Sequence, residues 1–455
     1  MFIGREKELS ELEEQFSSER KTSILIYGKR GIGKSTLISQ AVRSYPGIVI
    51  NFECIKSTYL GNVTLLSKNV CEALNLPEMK FSSLADIFQF LEKQNKQILV
   101  ILDEYQYLKE TGKKEEIDSY MQYIIDHLEN QVKIILCGSY ITVMRELLEE
   151  ENPLFGRFTS VIHLQEMDYL TASCFYPDLS SEQKIRIYSV FGGSPYVLSL
   201  IQPEKGIAYN IIKYLLPSTG ILRIYIENVM LKEIKKAYDV RILEVIGNGK
   251  KRYSDINVSL GGDGNGLLDK QLKNLLDMET IHKEFPVNKP DDKKKQFYTI
   301  SDNLLRFYFA YVFGCSSSLS FLGPEVFYKE KIEPSVSEFI SRRFEEIARQ
   351  YFMIQVRTGK RRGIQNVGTF WYDDPKGKKS NEFDCVLKRR EGYDFYECRF
   401  MKNPLTRGIC DEEKEQIQSV SDILHPVTIG FISASGFSFQ SDQYDLISGD
   451  DLFDE

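Results

Sequence analysis

The segment Gly28-Lys29-Arg30-Gly31-Ile32-Gly33-Lys34-Ser35 reads G-x-x-x-x-G-K-S, with the apolar run Ile24-Leu25-Ile26-Tyr27 before it and an amphipathic stretch from Thr36 after it. That spacing suits a loop wrapped around a chain of phosphates. Glycines let the backbone turn its N–H groups inward, and a helix starting straight afterwards presents the positive end of its dipole. In such a loop residues 28–36 line the phosphates, Lys34 reaches the β- and γ-phosphates, and the Ser35 hydroxyl ligates Mg²⁺. The ligands expected here are therefore ATP and Mg²⁺. A second pair of residues fits the same chemistry. Ile98-Leu99-Val100-Ile101-Leu102 runs into Asp103-Glu104, five aliphatic residues ending in two carboxylates. A strand of this kind delivers acids to the carboxyl edge of a parallel sheet, where ligands bind. Asp103 is expected to hold Mg²⁺, directly or through water, and Glu104 to polarise an attacking water as general base.

Arg157, in the loop Pro153–Phe158, can neutralise the charge that grows on a transferring phosphoryl group, within its own chain or on a neighbour; the other reading is a structural ion pair. Near the far end of the chain three carboxylates recur at suggestive places: Glu345 in an amphipathic helix, Asp384 in a strand, and Glu397 two residues before Arg399 in another. Residues two apart in a strand share a face, so Glu397 and Arg399 point the same way and Asp384 can lie alongside.

The elements that must carry these residues can be read from hydrophobic periodicity. Leu9, Leu12 and Phe16 form one stripe of a charged N-terminal helix. Leu37–Tyr45, Thr64–Leu74 and Leu84–Lys93 read as helices, and Ile48–Phe52 as a short buried parallel strand. Val132–Ser139 and Ser160–Leu164 complete the strands of a first α/β region. Residues 166–230 read as helical, with Gly193-Ser194-Pro195 starting a helix, since proline suits a first helical turn. From 235 to 300 the pattern is three helices, Ala237–Ile246, Tyr253–Ile256 and one through Leu267, Leu272 and Leu276, followed by Ile281–Phe285 and Gln296–Ile300 around a lysine-rich turn. Three helices and a hairpin make a winged helix, whose third helix can enter a DNA groove. Here that helix shows Asp269, Lys270, Lys273, Asn274 and Asp277, which is mixed in sign, so packing against a protein is the competing expectation. Ser337–Phe352 is an amphipathic helix, and Gly368–Tyr372, Glu382–Leu387 and Tyr393–Phe400 are strands.

Taken together, the Phe2-Ile3-Gly4-Arg5-Glu6 box, the phosphate loop, the Asp103-Glu104 strand, Ser139 and the G-x-P ending in Pro195 resemble the prokaryotic STAND-type ATPases, and within them the archaeal-ATPase family. The resemblance implies a nucleotide-controlled switch. In it Arg5 belongs to a box over the nucleotide base, Ser139 senses the γ-phosphate or the water, and Pro195 packs near the nucleotide. The C-terminal carboxylates resemble the PD-(D/E)XK nuclease core, which implies a metal site at Glu345, Asp384 and Glu397. Arg399 stands where that family has lysine, and arginine neither loses its proton readily nor mimics a compact ammonium.

The expected organisation is α/β: a P-loop ATPase core with a parallel sheet at 1–165, a helical lid at 166–234, a winged helix at 235–302, a helical connector at 303–330 and a nuclease-like domain at 331–455. A length of 455 residues suits about three domains. The net charge of −7 argues against a chain built wholesale to coat nucleic acid, while leaving room for a local basic patch. Eight cysteines show no C-x-x-C spacing, so neither a zinc site nor a disulfide framework is expected. Cys54, Cys137, Cys385 and Cys398 fall in apolar runs and read as core thiols. No apolar run approaches membrane-spanning length and no leader pattern opens the chain, so the expected compartment is the cytoplasm. The expected function is an ATP-binding and ATP-hydrolysing switch that controls the C-terminal module on DNA. The alternatives are a nucleotide-locked DNA-binding or scaffold protein and an ATP-gated, metal-dependent nuclease. Oligomeric state and the identity of any partner are left open.

Overall fold

The computed structural model describes residues 2–110, 114–129, 131–232, 234, 240–262, 266–374, 379–419 and 421–454. The chain divides into two compact units, Met1–Glu166 and Met167–Glu455.

The first unit is built on β1 (Ser23–Tyr27), β2 (Ile48–Glu53), β3 (Ile98–Asp103), β4 (Val132–Gly138) and β5 (Ser160–His163). They form one sheet in the order β2-β3-β4-β1-β5, parallel throughout. The unbroken aliphatic runs of β1, β3 and β4 follow from burial on both faces. Alternate residues serve opposite layers. Ile24, Ile26, Leu99 and Ile101 pack with α1 (Glu6–Ser17) and α2 (Lys34–Ala41). Leu25, Val100, Leu102 and Ile134 pack with α3 (Tyr59–Leu74), α4 (Leu84–Glu92), α5 (Gln106–Lys109) and α6 (Lys114–His127). β2 corrects one expectation. It is parallel but lies at the sheet edge, with Asn51 and Glu53 exposed, so it is not a buried strand.

α5 follows the carboxylates of β3 at once and is fastened by a buried ion pair. Lys109 Nζ lies 2.7 Å from Asp118 Oδ2 on α6, with side chains 1% and 2% exposed. The same carboxylate accepts from Tyr105 Oη at 3.1 Å and from Asn152 Nδ2 at 2.9 Å.

In the second unit the hairpin β6 (Ile281–Glu284) and β7 (Phe297–Ile300) follows the helices Arg241–Gly247, Tyr253–Ser259 and Leu267–Asp277. The expected first helix begins in part outside the described residues. A long helix, Glu333–Arg357, leads into a five-stranded sheet of β8 (Asn366–Asp374), β9 (Lys379–Lys388), β10 (Tyr393–Arg399), β11 (Pro426–Ser433) and β12 (Asp445–Ser448), ordered β12-β11-β10-β9-β8. β9 runs antiparallel to both β8 and β10, while β10, β11 and β12 are parallel. One apolar core runs through the unit, joining Tyr169 and Phe191 to Phe307, Phe344, Phe352 and Tyr396.

The lysine-rich turn is not a free wing. Val287 N–H donates to the Thr369 carbonyl at 2.7 Å on the edge strand β8, and Asn288 Nδ2 donates to the Trp371 carbonyl at 2.7 Å. Phe297 stacks on Trp371 with ring centroids 5.5 Å apart. The hairpin thus covers an edge that would otherwise present unpaired backbone groups. All eight cysteines are free thiols; Cys398 is only half-buried, against the expectation of a core position, while Cys71 and Cys410 are buried. No helix among the described residues is long and apolar enough to cross a membrane.

Removing the acid of the buried pair should expose its cost. Asp118→Ala strands the Lys109 ammonium and should destabilise the first unit by about 3–5 kcal/mol in urea unfolding. Lys109→Met with Asp118→Leu should recover most of that loss.

Candidate functional site

β1 ends at Tyr27 and the chain wraps through Gly28–Gly33 into α2, which starts at Lys34. Gly31 and Gly33 have φ of 77° and 94°, a left-handed backbone that glycine adopts without strain. At Gly28 the constraint is space, because a Cβ there would meet the Leu164 carbonyl oxygen at 2.2 Å. Lys34 is 7% exposed, and its ammonium donates to the carbonyls of Gly28 at 2.8 Å and Lys29 at 3.0 Å. Burial pulls its pKa below the ordinary lysine value, and Cys137, Glu104 and Asp103 offset that only in part. A buried cation inside a ring of main-chain groups is a place for an anion. Ser35 and Thr36 are exposed in the first turn of α2, and Ile32 is buried beneath the loop.

β4 lies between β1 and β3, so three strand ends converge. Ser35 Oγ donates to Asp103 Oδ2 at 2.8 Å, and Asp103 Oδ1 accepts from the Glu104 backbone N–H at 2.8 Å. The two residues expected to hold Mg²⁺ are therefore in direct contact, and with the glycine loop and Lys34 they fit Mg²⁺-bound ATP. Glu104 has φ of 51°, unusual for a side chain with a Cβ and a mark of a locally held conformation. Its Oε2 accepts from Ser139 Oγ at 2.5 Å and from Gln106 Nε2. Arg30 approaches its Oε1 to 3.6 Å, donates to Ser139 Oγ at 3.3 Å, and also donates to Tyr107 Oη. Gln106 is fully buried and also accepts from the Ser139 N–H at 3.3 Å.

Gln106 and Tyr107 escaped the sequence reading, since a polar residue three positions past a strand end carries no spacing signal. The Arg5 guanidinium donates to the Ile32 carbonyl of the loop at 3.5 Å and to the Gln165 carbonyl. Arg157 is the main correction. Its carbonyl accepts from Ser23 Oγ at the start of β1, and its guanidinium pairs with Asp126 at 3.1 Å. That is the amino edge of the sheet, about 15 Å of strand away from the phosphate loop. The pair with Asp126 is the structural ion pair of its other reading, and it holds the guanidinium away from its own chain's phosphate loop. Pro195 belongs to the second unit, where it opens the helix Pro195–Leu200; Gly193 before it is needed because a Cβ would meet the Met167 carbonyl oxygen at 1.9 Å.

In the second unit the C-terminal carboxylates do come near one another. Burial, then Asp384, pushes the Glu345 carboxyl up to about 8. Burial raises Glu397 to about 7, with Glu413 and Asp384 adding to the shift and Arg399 opposing it. Asp384 is also raised, by burial and then by Glu382. Yet among the described residues no group of three or more His, Cys, Asp or Glu is placed to hold a metal. Asp384 raises both Glu345 and Glu397, so the three expected carboxylates lie within electrostatic reach through it. Arg399 bonds Glu413 at 2.6 Å and Glu397 at 3.1 Å. A residue not foreseen, Lys250, reaches in from beyond the helix Arg241–Gly247 and pairs with Glu382 at 2.6 Å on the strand that carries Asp384.

Residues 2–201 match a family described as an ATPase domain predominantly from Archaea, and residues 308–416 match one described as archaeal and bacterial proteins of unknown function. An uncharacterized protein of Methanocaldococcus jannaschii is 28% identical over 379 residues, 82% of each chain. An uncharacterized ATP-binding protein of the same organism is 27% identical over 45% of this chain and 70% of its own. Among solved structures, the Walker-type ATPase of Pyrococcus abyssi is 20% identical, covering 68% of this chain and 96% of its own, with a TM-score of 0.49. The ATPase-domain match begins at residue 2, spans the rest of the first unit and runs on into the second.

The raised carboxyls predict a pH dependence with a definite sign. The folded chain holds the Glu345 proton more tightly than an unfolded chain with the ordinary value of 4.5, so this contribution is present below about 4.5 and fades as pH rises through about 8. In EDTA-containing buffer the melting temperature should fall across that interval. Glu345→Gln should flatten the fall and leave the protein more stable than the parent at the alkaline end.

Proposed function

We propose that this protein is an ATP-hydrolysing switch whose first unit governs the hairpin and sheet module of the second. The observation that carries the reading is the contact between Ser35 and Asp103 directly beside a buried Lys34. When bound, Mg²⁺-ATP supplies the phosphoryl group to be transferred and a divalent charge. Ser35 and Asp103 are the residues that would hold the metal, and the backbone of 28–34 with Lys34 would hold the phosphates. Glu104 is the base that would take a proton from the attacking water. Ser139 and Gln106, which grip its Oε2, orient that carboxylate, while Arg30 balances its charge from within the phosphate loop. Arg5 fixes the loop from behind. Arg157 retains a role only if it serves a neighbouring copy.

The target we favour for the switch is DNA. Docking of the lysine-rich turn on β8 supports a surface shared by hairpin and sheet, with Lys295 over the Trp371 ring at 4.7 Å and Arg252 at 5.5 Å. The outer face of Leu267–Asp277 stays mixed in sign, with Asp269, Lys270 and Lys273 exposed, which gives a groove-reading helix less support. A second reading, an ATP-gated nuclease, is favoured by the nearness of Glu345, Asp384 and Glu397. Plasmid cleavage in Mg²⁺ that disappears in Asp384→Ala would establish it.

Lys34→Ala should abolish ATP turnover. Glu104→Gln should lower it by about 100- to 10,000-fold while ATP binding persists, since general-base catalysis is worth roughly that much. Both are read by phosphate release and nucleotide titration. Parent protein that binds ATP tightly yet releases no phosphate would make this a nucleotide-locked scaffold instead.

A further inference from the structure

The second unit contains a cleft of about 320 Å³ between the turn after Arg241–Gly247 and one face of Glu333–Arg357. Three cations line it, Lys331, Arg342 and Arg343, against a single carboxylate, Glu338. The most telling is Arg343. Its side chain is 11% exposed, and its Nε is buried with no hydrogen-bond partner. Its carboxylate partner Glu346, at 3.3 Å, is shared with Arg306, which lies closer at 2.7 Å. Burial and then repulsion from Arg306 pull its pKa down to about 10, and Glu346, Glu284 and Glu345 recover only part of that loss. A guanidinium held at such a cost has positive charge left over for an anion.

The rest of the cleft suits one. Arg342 pairs with Glu338 across exposed side chains, a partnership of little worth that a stronger acceptor can displace. Tyr311 and Phe339 meet edge to face at 5.8 Å and offer an apolar wall. Gly249, at φ of 122°, leaves the floor open; a Cβ there would stand 3.4 Å from Arg342 Nη1. The volume is in the range of small-molecule sites.

We propose that this cleft is a second anion site, taking a small phosphorylated molecule whose phosphate bridges Arg342 and Arg343 and whose apolar part lies on Tyr311 and Phe339. Charge-assisted bonds from the two guanidinium groups that line the cleft supply affinity. A ligand there ties the 247–249 turn to the helix that leads into the C-terminal sheet. The site stands independently of what that sheet does.

The test uses full-length protein carrying Lys34→Ala, so that the phosphate loop is weakened, titrated calorimetrically with inorganic pyrophosphate and separately with a duplex oligonucleotide. Saturable one-site pyrophosphate binding is expected. Arg342→Ala, an exposed change that leaves the fold intact, should weaken it by about tenfold or more, the worth of one charge-assisted hydrogen bond. Arg343→Met, checked for folding by circular dichroism, should remove it. Three results would overturn the proposal: absence of saturable pyrophosphate binding, an affinity indifferent to Arg342→Ala, or binding of the oligonucleotide alone.

Discussion

A buried ammonium resting on main-chain carbonyls is the constraint around which the first unit is arranged. Lys34 donates to the carbonyls of Gly28 and Lys29, and burial lowers its pKa by more than Cys137, Glu104 and Asp103 raise it. The fold tolerates this because β1 lies inside a sheet that is apolar on both faces, with α2 packed on one of them. The strained part is small and the scaffold large. A polyphosphate entering such a loop finds its N–H groups and its lysine already in place, which limits the ordering cost of binding.

The same economy governs the carboxylates opposite. Asp103 spends one oxygen on its own neighbour's N–H and the other on Ser35. Glu104, twisted to a positive φ, is held by Ser139, Gln106 and Arg30. These contacts hold the carboxylate in one position.

The second unit is organised by edge protection and charge pairing. The turn after β6 seals β8, and Lys250 with Arg349 fastens hairpin, long helix and β9 through Glu284 and Glu382. The Glu284 carboxyl is accordingly held well below its usual range despite its burial, by His282, Arg349 and Lys250. Beside it burial raises Glu345, Asp384 and Glu397, neighbouring carboxylates add to the shift, and the cations within reach do not offset it. Hairpin, long helix and sheet therefore bring together acids shifted in both directions.

Much of this could be read from order along the chain. A glycine loop between an apolar run and a helix, and an aliphatic run closed by two acids, carry their geometry in local spacing, because backbone conformation and strand burial are local consequences of residue type. Residues 24–36 and 98–104 therefore form the strand, loop and helix, and the strand, that their order predicts. Periodicity likewise located β8, β9 and β10 and the long helix. What spacing could not supply is which strand lies beside which. Only the insertion of β4 between β1 and β3 brings Ser139 onto Glu104, and only the parallel sense of β1 and β5 sends Arg157 to the wrong edge. Gln106, Lys250 and the docking of the hairpin on β8 are invisible for the same reason: they join residues far apart in the chain, and such contacts are chosen by packing of the whole, not by any stretch of it.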